Sequence, residues 1–255
     1  MGVKKLLDLS GRNALVTGGS RGLGLQIAEA LIEMGAKVAI TARKKDELDA
    51  AKKHLGASSF TFVSDIGKRE GIAPLVEDVT KQCGRIDILV NNAGATWGAP
   101  AEDHPLDAWD KLMNVNLTGL FVLSQLVAKR CMIPAKWGRI VNVASIAGLL
   151  GQDPRFAPTA AYTATKHGVV GLTRQLAAEW GIHGITVNAI CPGFFPSKMT
   201  QATLATVGEL VKEWTPTRRL GNDEDLKGLA VLLASEASRH INGQAIAVDG
   251  GAGIV

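Results

Sequence analysis

A chain of 255 residues in which 46% are hydrophobic can bury a large core, and its length permits one large α/β unit or two small ones. Its net charge of +4 comes from Lys and Arg interleaved with Asp and Glu along the whole chain, which excludes the clustered basic face of a nucleic-acid-binding module. Three widely separated cysteines, Cys83, Cys131 and Cys191, exclude a disulfide framework and CxxC metal spacing and point to a reducing compartment. The N-terminal segment shows no signal-peptide pattern, and no uninterrupted apolar run approaches the about 18 residues that span a bilayer, so the expected location is the cytoplasm.

The first predicted strand is NALVT, 13–17, and a glycine cluster follows it directly in TGGSRGLG, 17–24, before a predicted helix. Glycines let the backbone turn tightly and come close to a ligand, while a helix N-terminus offers unpaired N–H groups and positive dipole to a pyrophosphate. The glycines stand at 18, 22 and 24, which is not the GxGxxG spacing, but their place after the first strand is that of a dinucleotide-binding turn. The second strand, KVAIT 37–41, leads to Ala42 and Arg43. At this strand end an acidic side chain would bond the 2′-hydroxyl of NAD. Arg43, with Arg21 in the turn, supplies two guanidinium groups and no carboxylate, which suits a 2′-phosphate and predicts NADP(H) over NAD.

Further short Val- and Ile-rich runs follow at FTFV 60–63, IDILV 86–90, RIVNV 139–143, ITVNAI 185–190 and AIAV 245–248, with helical spacing between them. Strands apolar on both faces and alternating with helices predict an α/β fold: one doubly wound domain over 1–255, with a parallel sheet of about seven strands and helices on both faces. EMGAK, KQCGRID and EWGIHGIT each end a helix at a glycine. The least regular stretch, 194–222, carries two phenylalanines and two prolines and is the segment expected to cover a substrate pocket.

The only tyrosine of the chain, Tyr162, stands four residues before Lys166 in AAYTATKHG, so on a helix the two share one face. A free phenol titrates near pH 10, and a nearby ammonium favours its phenolate, which makes tyrosine plausible as a general acid–base. The plainer alternative is a buried aromatic beside a snorkelling lysine.

Taken together, TGGSRGLG 17–24, SDI 64–66, NNAG 91–94, NVNLTG 114–119, GRIVNVAS 138–145, YTATK 162–166, CPG 191–193 and INGQAIAVDGG 241–251 resemble, in order and over essentially the whole chain, the short-chain dehydrogenase/reductase family. The resemblance implies a Rossmann-type fold and a catalytic set of Asn116, Ser145, Tyr162 and Lys166. Tyr162 would be acid in reduction and base in oxidation, Lys166 would lower its pKa and hold the nicotinamide ribose, Ser145 would bond the substrate oxygen, and Asn116 would hold a relay water. The cofactor residues it implies are Gly18, Ser20, Arg21, Gly22, Leu23, Gly24, Arg43, Asp65, Ile66, Asn92, Ala93, Gly94, Pro192, Gly193 and Phe195, together with Tyr162 and Lys166.

The 17 positions from Ser145 to Tyr162 exceed the usual family spacing and make Gln152, Arg155 and Phe156 candidate specificity residues beside Ser145 and Tyr162. The histidines show no metal-ligand spacing, and no metal is expected. The resemblance is nearest to 3-oxoacyl-thioester reductases, with a sugar-acid dehydrogenase of gluconate 5-dehydrogenase type as the alternative and a non-catalytic NADP sensor as the reading of another class. Arg130, Lys136 and Arg139 offer slight support for an acyl carrier protein partner. The family resemblance also implies a homotetramer built on helices 107–131 and 160–181, where Ala164, Gly168, Gly171 and Ala178 permit close approach.

Overall fold

The computed structural model describes residues 1–153, 155–156 and 158–255. Seven strands, β1 (Asn13–Thr17), β2 (Lys37–Ala42), β3 (Ser59–Val63), β4 (Ile88–Asn91), β5 (Gly138–Val143), β6 (Ile185–Pro192) and β7 (Ala245–Val248), form one sheet in the order β3-β2-β1-β4-β5-β6-β7. All six pairings are parallel. Each predicted run became a strand, with ends displaced by two residues at most.

Alternation along the strands sends side chains to opposite faces, and each face meets its own helices. Val16, Val38, Ile40, Ile88, Val90, Val141 and Val143 pack on one side with Ile27 and Leu31 of α2 (Gly22–Glu33), Leu48 of α3 (Lys45–Leu55) and Leu233 of a helix near the C-terminus. Leu15, Leu89, Ile140 and Val187 point to the other side, against the helices between β3 and β6. The side chains packed there come from α4 (Ile72–Cys83), α6 (Gly119–Val127) and the 21-residue α7 (Ala160–Trp180), while α5 (Leu106–Met113) lies before α6 and packs on α7. Truncating any of these fully buried Leu or Ile side chains to Ala costs about 2–5 kcal/mol. The predicted helix ends at Gly35, Gly84 and Gly184 all have positive φ.

A π turn, Asn114–Thr118, joins α5 to α6 and places the buried Asn116 inside the helical run. That run, Leu106–Ala135, is long and apolar enough by length and composition to cross a membrane. The expectation of no such segment rested on uninterrupted apolar residues, whereas here the apolar positions are spaced around the helix. In the fold Leu112, Leu120, Leu123 and Val127 of this run are buried.

Candidate active site

The strand order reverses between β1 and β4, and in open parallel sheets ligands lie outside the carboxyl ends of the strands at such a switch point. A cavity of about 680 Å³ opens there, and every strand from β1 to β6 delivers residues to it. Gly18 to Leu23 follow β1, Arg43 follows β2, Asp65 and Ile66 follow β3, and Asn92 to Ala95 follow β4. Ser145 follows β5, Pro192 ends β6, and Gly193 and Phe195 come next. Tyr162 and Lys166 reach the same cavity from the first turns of α7. Arg43 and Ser145 are separated by three strand spacings, about 14 Å, which suits an extended dinucleotide rather than a single sugar or amino acid.

The glycine turn is built for close approach. Gly18 has φ +64°, and Asn92 ties the turn down by donating from Nδ2 to the carbonyls of Thr17 (2.9 Å) and Gly18 (3.2 Å). Thr17 Oγ1 in turn accepts from the N–H groups of Asn92 and Ala93. Helix α2 begins at Gly22 with no side-chain cap, so its first N–H groups stay available at the cavity wall. Gly24 does not line the cavity: a Cβ there would lie 2.5 Å from the Gly18 carbonyl and against the Asn92 amide. Gly24→Ala is expected to weaken NADPH binding at least about tenfold and to cost roughly 1–3 kcal/mol, through overpacking of this turn. Fluorescence titration and a thermal melt would check both.

At the other end, Ser145, Tyr162 and Lys166 converge. Ser145 is buried, lines the cavity together with Tyr162, and accepts from the Ala147 N–H at 3.1 Å. Lys166 Nζ donates to the Val143 carbonyl at 2.7 Å and sits 5.5 Å from the Tyr162 ring centre. Burial lowers Lys166 to about 8 and pushes the Tyr162 phenol above its ordinary value, against the opposing hydrogen bond from Ser145. The expectation that the ammonium would bring the phenol down is therefore reversed here. Desolvation is the larger influence on both groups, and the lysine is turned toward Val143.

Asn116 lies behind this end rather than on the cavity wall. Its amide donates to the Ala95 carbonyl (2.9 Å) and to Thr165 Oγ1 (3.0 Å) and accepts from the Ala95 N–H (2.9 Å). Both of its N–H bonds are thus used in tying the loop after β4 to α7. A water held by this residue would have to bind an oxygen, and the π turn that contains it leaves the regular helical ladder distorted at that point.

The lengthened loop does not deliver its polar residues to the cavity. Arg155 is turned to solvent and held by Asp153, Nε to Oδ2 at 2.8 Å. Gln152 accepts from Thr159 Oγ1 at 3.1 Å. Phe156 is buried in an aromatic cluster with Phe194 and Trp214, ring centres 5.6 and 5.1 Å away, and so joins this loop to the 194–222 segment. That contact between residues far apart in sequence left no sequence signal.

Four cations and one acid on the cavity wall also escaped the sequence reading: Lys44, Lys68, Lys111 and Lys198, and Glu47. Ser197 was missed too, although its Cβ is the atom nearest to where a side chain at Gly22 would point, at 3.9 Å. Glu47 corrects the expectation of a 2′-phosphate pocket with no carboxylate, since it pairs with Arg21 at 2.8 Å. It stands four residues past Arg43, where only the fold of α3 turns it back toward the glycine loop. Among the described residues no group of three or more His, Cys, Asp or Glu could hold a metal ion.

Comparison with known proteins agrees with this arrangement. Residues 12–208 match the family model described as short chain dehydrogenase. Gluconate 5-dehydrogenase of Gluconobacter oxydans (strain 621H) is 41% identical over 253 residues, covering 96% of each chain. A 3-oxoacyl-[acyl-carrier-protein] reductase of Staphylococcus epidermidis is 38% identical over 244 residues, 94% of this chain and 98% of that one. The structure of a gluconate 5-dehydrogenase from Burkholderia cenocepacia J2315 in complex with NADP and tartrate superposes with a TM-score of 0.92 at 35% identity, covering 98% of both chains. The glycine turn at the switch point, the Ser145–Tyr162–Lys166 cluster and these near full-length matches together establish that the chain belongs to the short-chain dehydrogenase family of oxidoreductases.

Proposed function

We propose that the protein is an NADP(H)-dependent oxidoreductase that interconverts a ketone and a secondary alcohol, with Tyr162 as its proton donor and acceptor. The observation that carries this reading is the convergence of Ser145, Tyr162 and Lys166 on the same cavity as the glycine turn. The residues fit the cofactor: the N–H groups of α2 and the turn would hold the pyrophosphate, Arg21 and Arg43 the 2′-phosphate, Asp65 and Ile66 the adenine, and Pro192, Gly193 and Phe195 the nicotinamide. When bound, the nicotinamide supplies or accepts the hydride.

The remaining chemistry belongs to the side chains. Reduction of a carbonyl builds negative charge on its oxygen, and the Ser145 hydroxyl with the Tyr162 proton meets that charge where it develops. A phenol raised by burial stays protonated at neutral pH and is set to donate. Lys166 holds the ribose and supplies positive charge beside the phenol, and Asn116 fixes the Ala95 loop against α7. The 1–255 chain acts as one cytoplasmic domain, with residues 194–222 covering the substrate through the Phe156–Phe194–Trp214 cluster. Tetramer formation is supported by the outward face of α7, where Ala164, Gly171 and Ala178 are exposed; Gly168 instead packs on Leu117. A monomer in sedimentation would count against it.

Two substrate classes fit. A sugar acid is placed first, because two of the three basic residues that favoured a carrier-protein partner, Arg130 and Arg139, are already paired with acids of this chain, which leaves only the exposed Lys136. Arg139 is buried against Trp137 and Glu236, and Arg130 pairs with Glu77 at 2.9 Å. A 3-oxoacyl thioester is kept as the second reading on the apolar cluster of Phe156, Phe194 and Trp214. Initial rates of NADPH oxidation with 5-ketogluconate beside an acetoacetyl thioester decide between them. The sugar acid is expected to be turned over faster, and a clear preference for the thioester reverses the order. Turnover is expected to survive chelation, and its loss would count against a metal-free reaction.

A further inference from the structure

The cationic end of the cavity contains a built-in competitor for the anion it would bind. Glu47 lies in the first turn of α3 with its side chain 23% exposed. Its Oε1 stands 2.8 Å from an Arg21 guanidinium nitrogen and 3.6 Å from Lys44 Nζ, and its Oε2 accepts from Ser20 Oγ at 3.5 Å. Ser20, Arg21, Lys44 and Glu47 all line the cavity together with Arg43. Among the described residues no ion pair involves Arg43, so the acid acts on one arginine of the two.

A phosphate dianion arriving at Arg21 must take the guanidinium from Glu47 or share it, and in sharing it the two anions face each other across one cation. Either course subtracts from what the two arginines would otherwise contribute. The Arg21 side chain is half exposed, so its pair with Glu47 is weak enough to exchange. An uncharged 2′-hydroxyl meets no such opposition and can donate to the carboxylate. Specificity is a difference between two affinities, and a repulsive group against one ligand changes it as effectively as an attractive group for the other.

We propose that Glu47 is a specificity-determining residue of the cofactor site, whose carboxylate competes with the ribose 2′-phosphate for Arg21 and Ser20 and so narrows the preference for NADP(H) over NAD(H). This inference rests on the NADP(H) reading above and goes beyond it by naming the residue that opposes it.

The test uses two fragments that differ only in the 2′-phosphate, adenosine 2′,5′-bisphosphate and 5′-AMP, titrated calorimetrically into the full-length protein. Glu47→Gln keeps the shape and removes the charge. It is expected to bind the bisphosphate about fivefold tighter or more at moderate salt, and 5′-AMP no tighter. The gain should disappear when Glu47→Gln is made on an Arg21→Ala background, as a double-mutant cycle requires of a competition for Arg21. Bisphosphate binding that is unchanged or weaker in Glu47→Gln overturns the proposal. So does an equal tightening of both fragments, which would make Glu47 only a diffuse negative charge. If the wild-type protein binds the two fragments equally, the NADP(H) reading fails on its own, while the step from wild type to Glu47→Gln still judges the role of Glu47.

Discussion

Tyr162→Phe is expected to lower the rate of ketone reduction by roughly 10²–10⁴-fold, the range a positioned general acid supplies, with NADPH affinity nearly unchanged. The ring keeps its place in the first turns of α7, and Lys166 keeps its hydrogen bond to the Val143 carbonyl, so the cavity retains its shape. What disappears is the proton next to Ser145, and Ser145 by itself cannot deliver one at neutral pH. Steady-state rates and a fluorescence titration of NADPH separate the two effects. A variant with near wild-type turnover removes Tyr162 from the reaction. One that loses NADPH binding as well makes the tyrosine a packing element of the cofactor site. Ser145→Ala is expected to fall in the same direction by less, because it removes one donor to the developing oxyanion and leaves the acid in place.

Lys166→Met is expected to inactivate the protein and yet stabilise it at neutral pH. Burial lowers this lysine from its ordinary 10.5 to about 8, so the folded chain releases the proton more readily than the unfolded one. Below pH of about 8 both states carry the ammonium, and the folded state bears the whole cost of burying it. From about 8 to 10.5 the unfolded chain binds more protons, and the stability tied to this group rises with pH until the cost is gone. The displacement amounts to about 3 kcal/mol at most. Loss of the donor to Val143 offsets part of it, leaving an expected gain of about 1–2 kcal/mol at pH 7. A melt should show this as a rise in Tm of about 2–6 °C that shrinks toward pH 10. Tyr162 and Cys191, both raised by burial, titrate with the opposite sign at higher pH, and because the Lys166 charge lowers Cys191 the comparison is made below pH of about 10, where Cys191, pushed up to about 11, is still protonated. A variant less stable than wild type by the same amount at every pH would show that the fold already compensates the ammonium. A reactive site built on a desolvated cation carries this cost as part of its function.

Much of this molecule could be read from local pattern. The seven strands were legible because each is a short run apolar on both faces, which only a sheet covered on both sides accommodates. The glycine turn and Arg43 could be assigned to the cofactor site because they follow the first two strands, whereas Ser145 and the Tyr162–Lys166 pair were brought to the same place by the family resemblance, and the structure gathers all of them around one cavity. The spacing of four between Tyr162 and Lys166 needed nothing beyond helical periodicity.

Three matters lay beyond the sequence, each for a physical reason. The carboxylate at the cofactor end comes from Glu47, whose direction depends on how α3 packs across the glycine loop rather than on any spacing within it. The lengthened loop before Tyr162 offered Arg155 as a ligand for substrate, but a neighbouring aspartate satisfies that guanidinium, and Phe156 finds its partners in Phe194 and Trp214. The protonation of Tyr162 and Lys166 turned on burial, a property of everything packed around them, and it moved both groups against the direction that their charges alone suggested. The sequence by itself determined which chemical groups stand at the strand ends, because strand order and helical period carry them there. Only the tertiary structure decided which of those groups face the cavity, which are already paired, and how strongly each holds its proton, because those depend on neighbours brought together from distant parts of the chain.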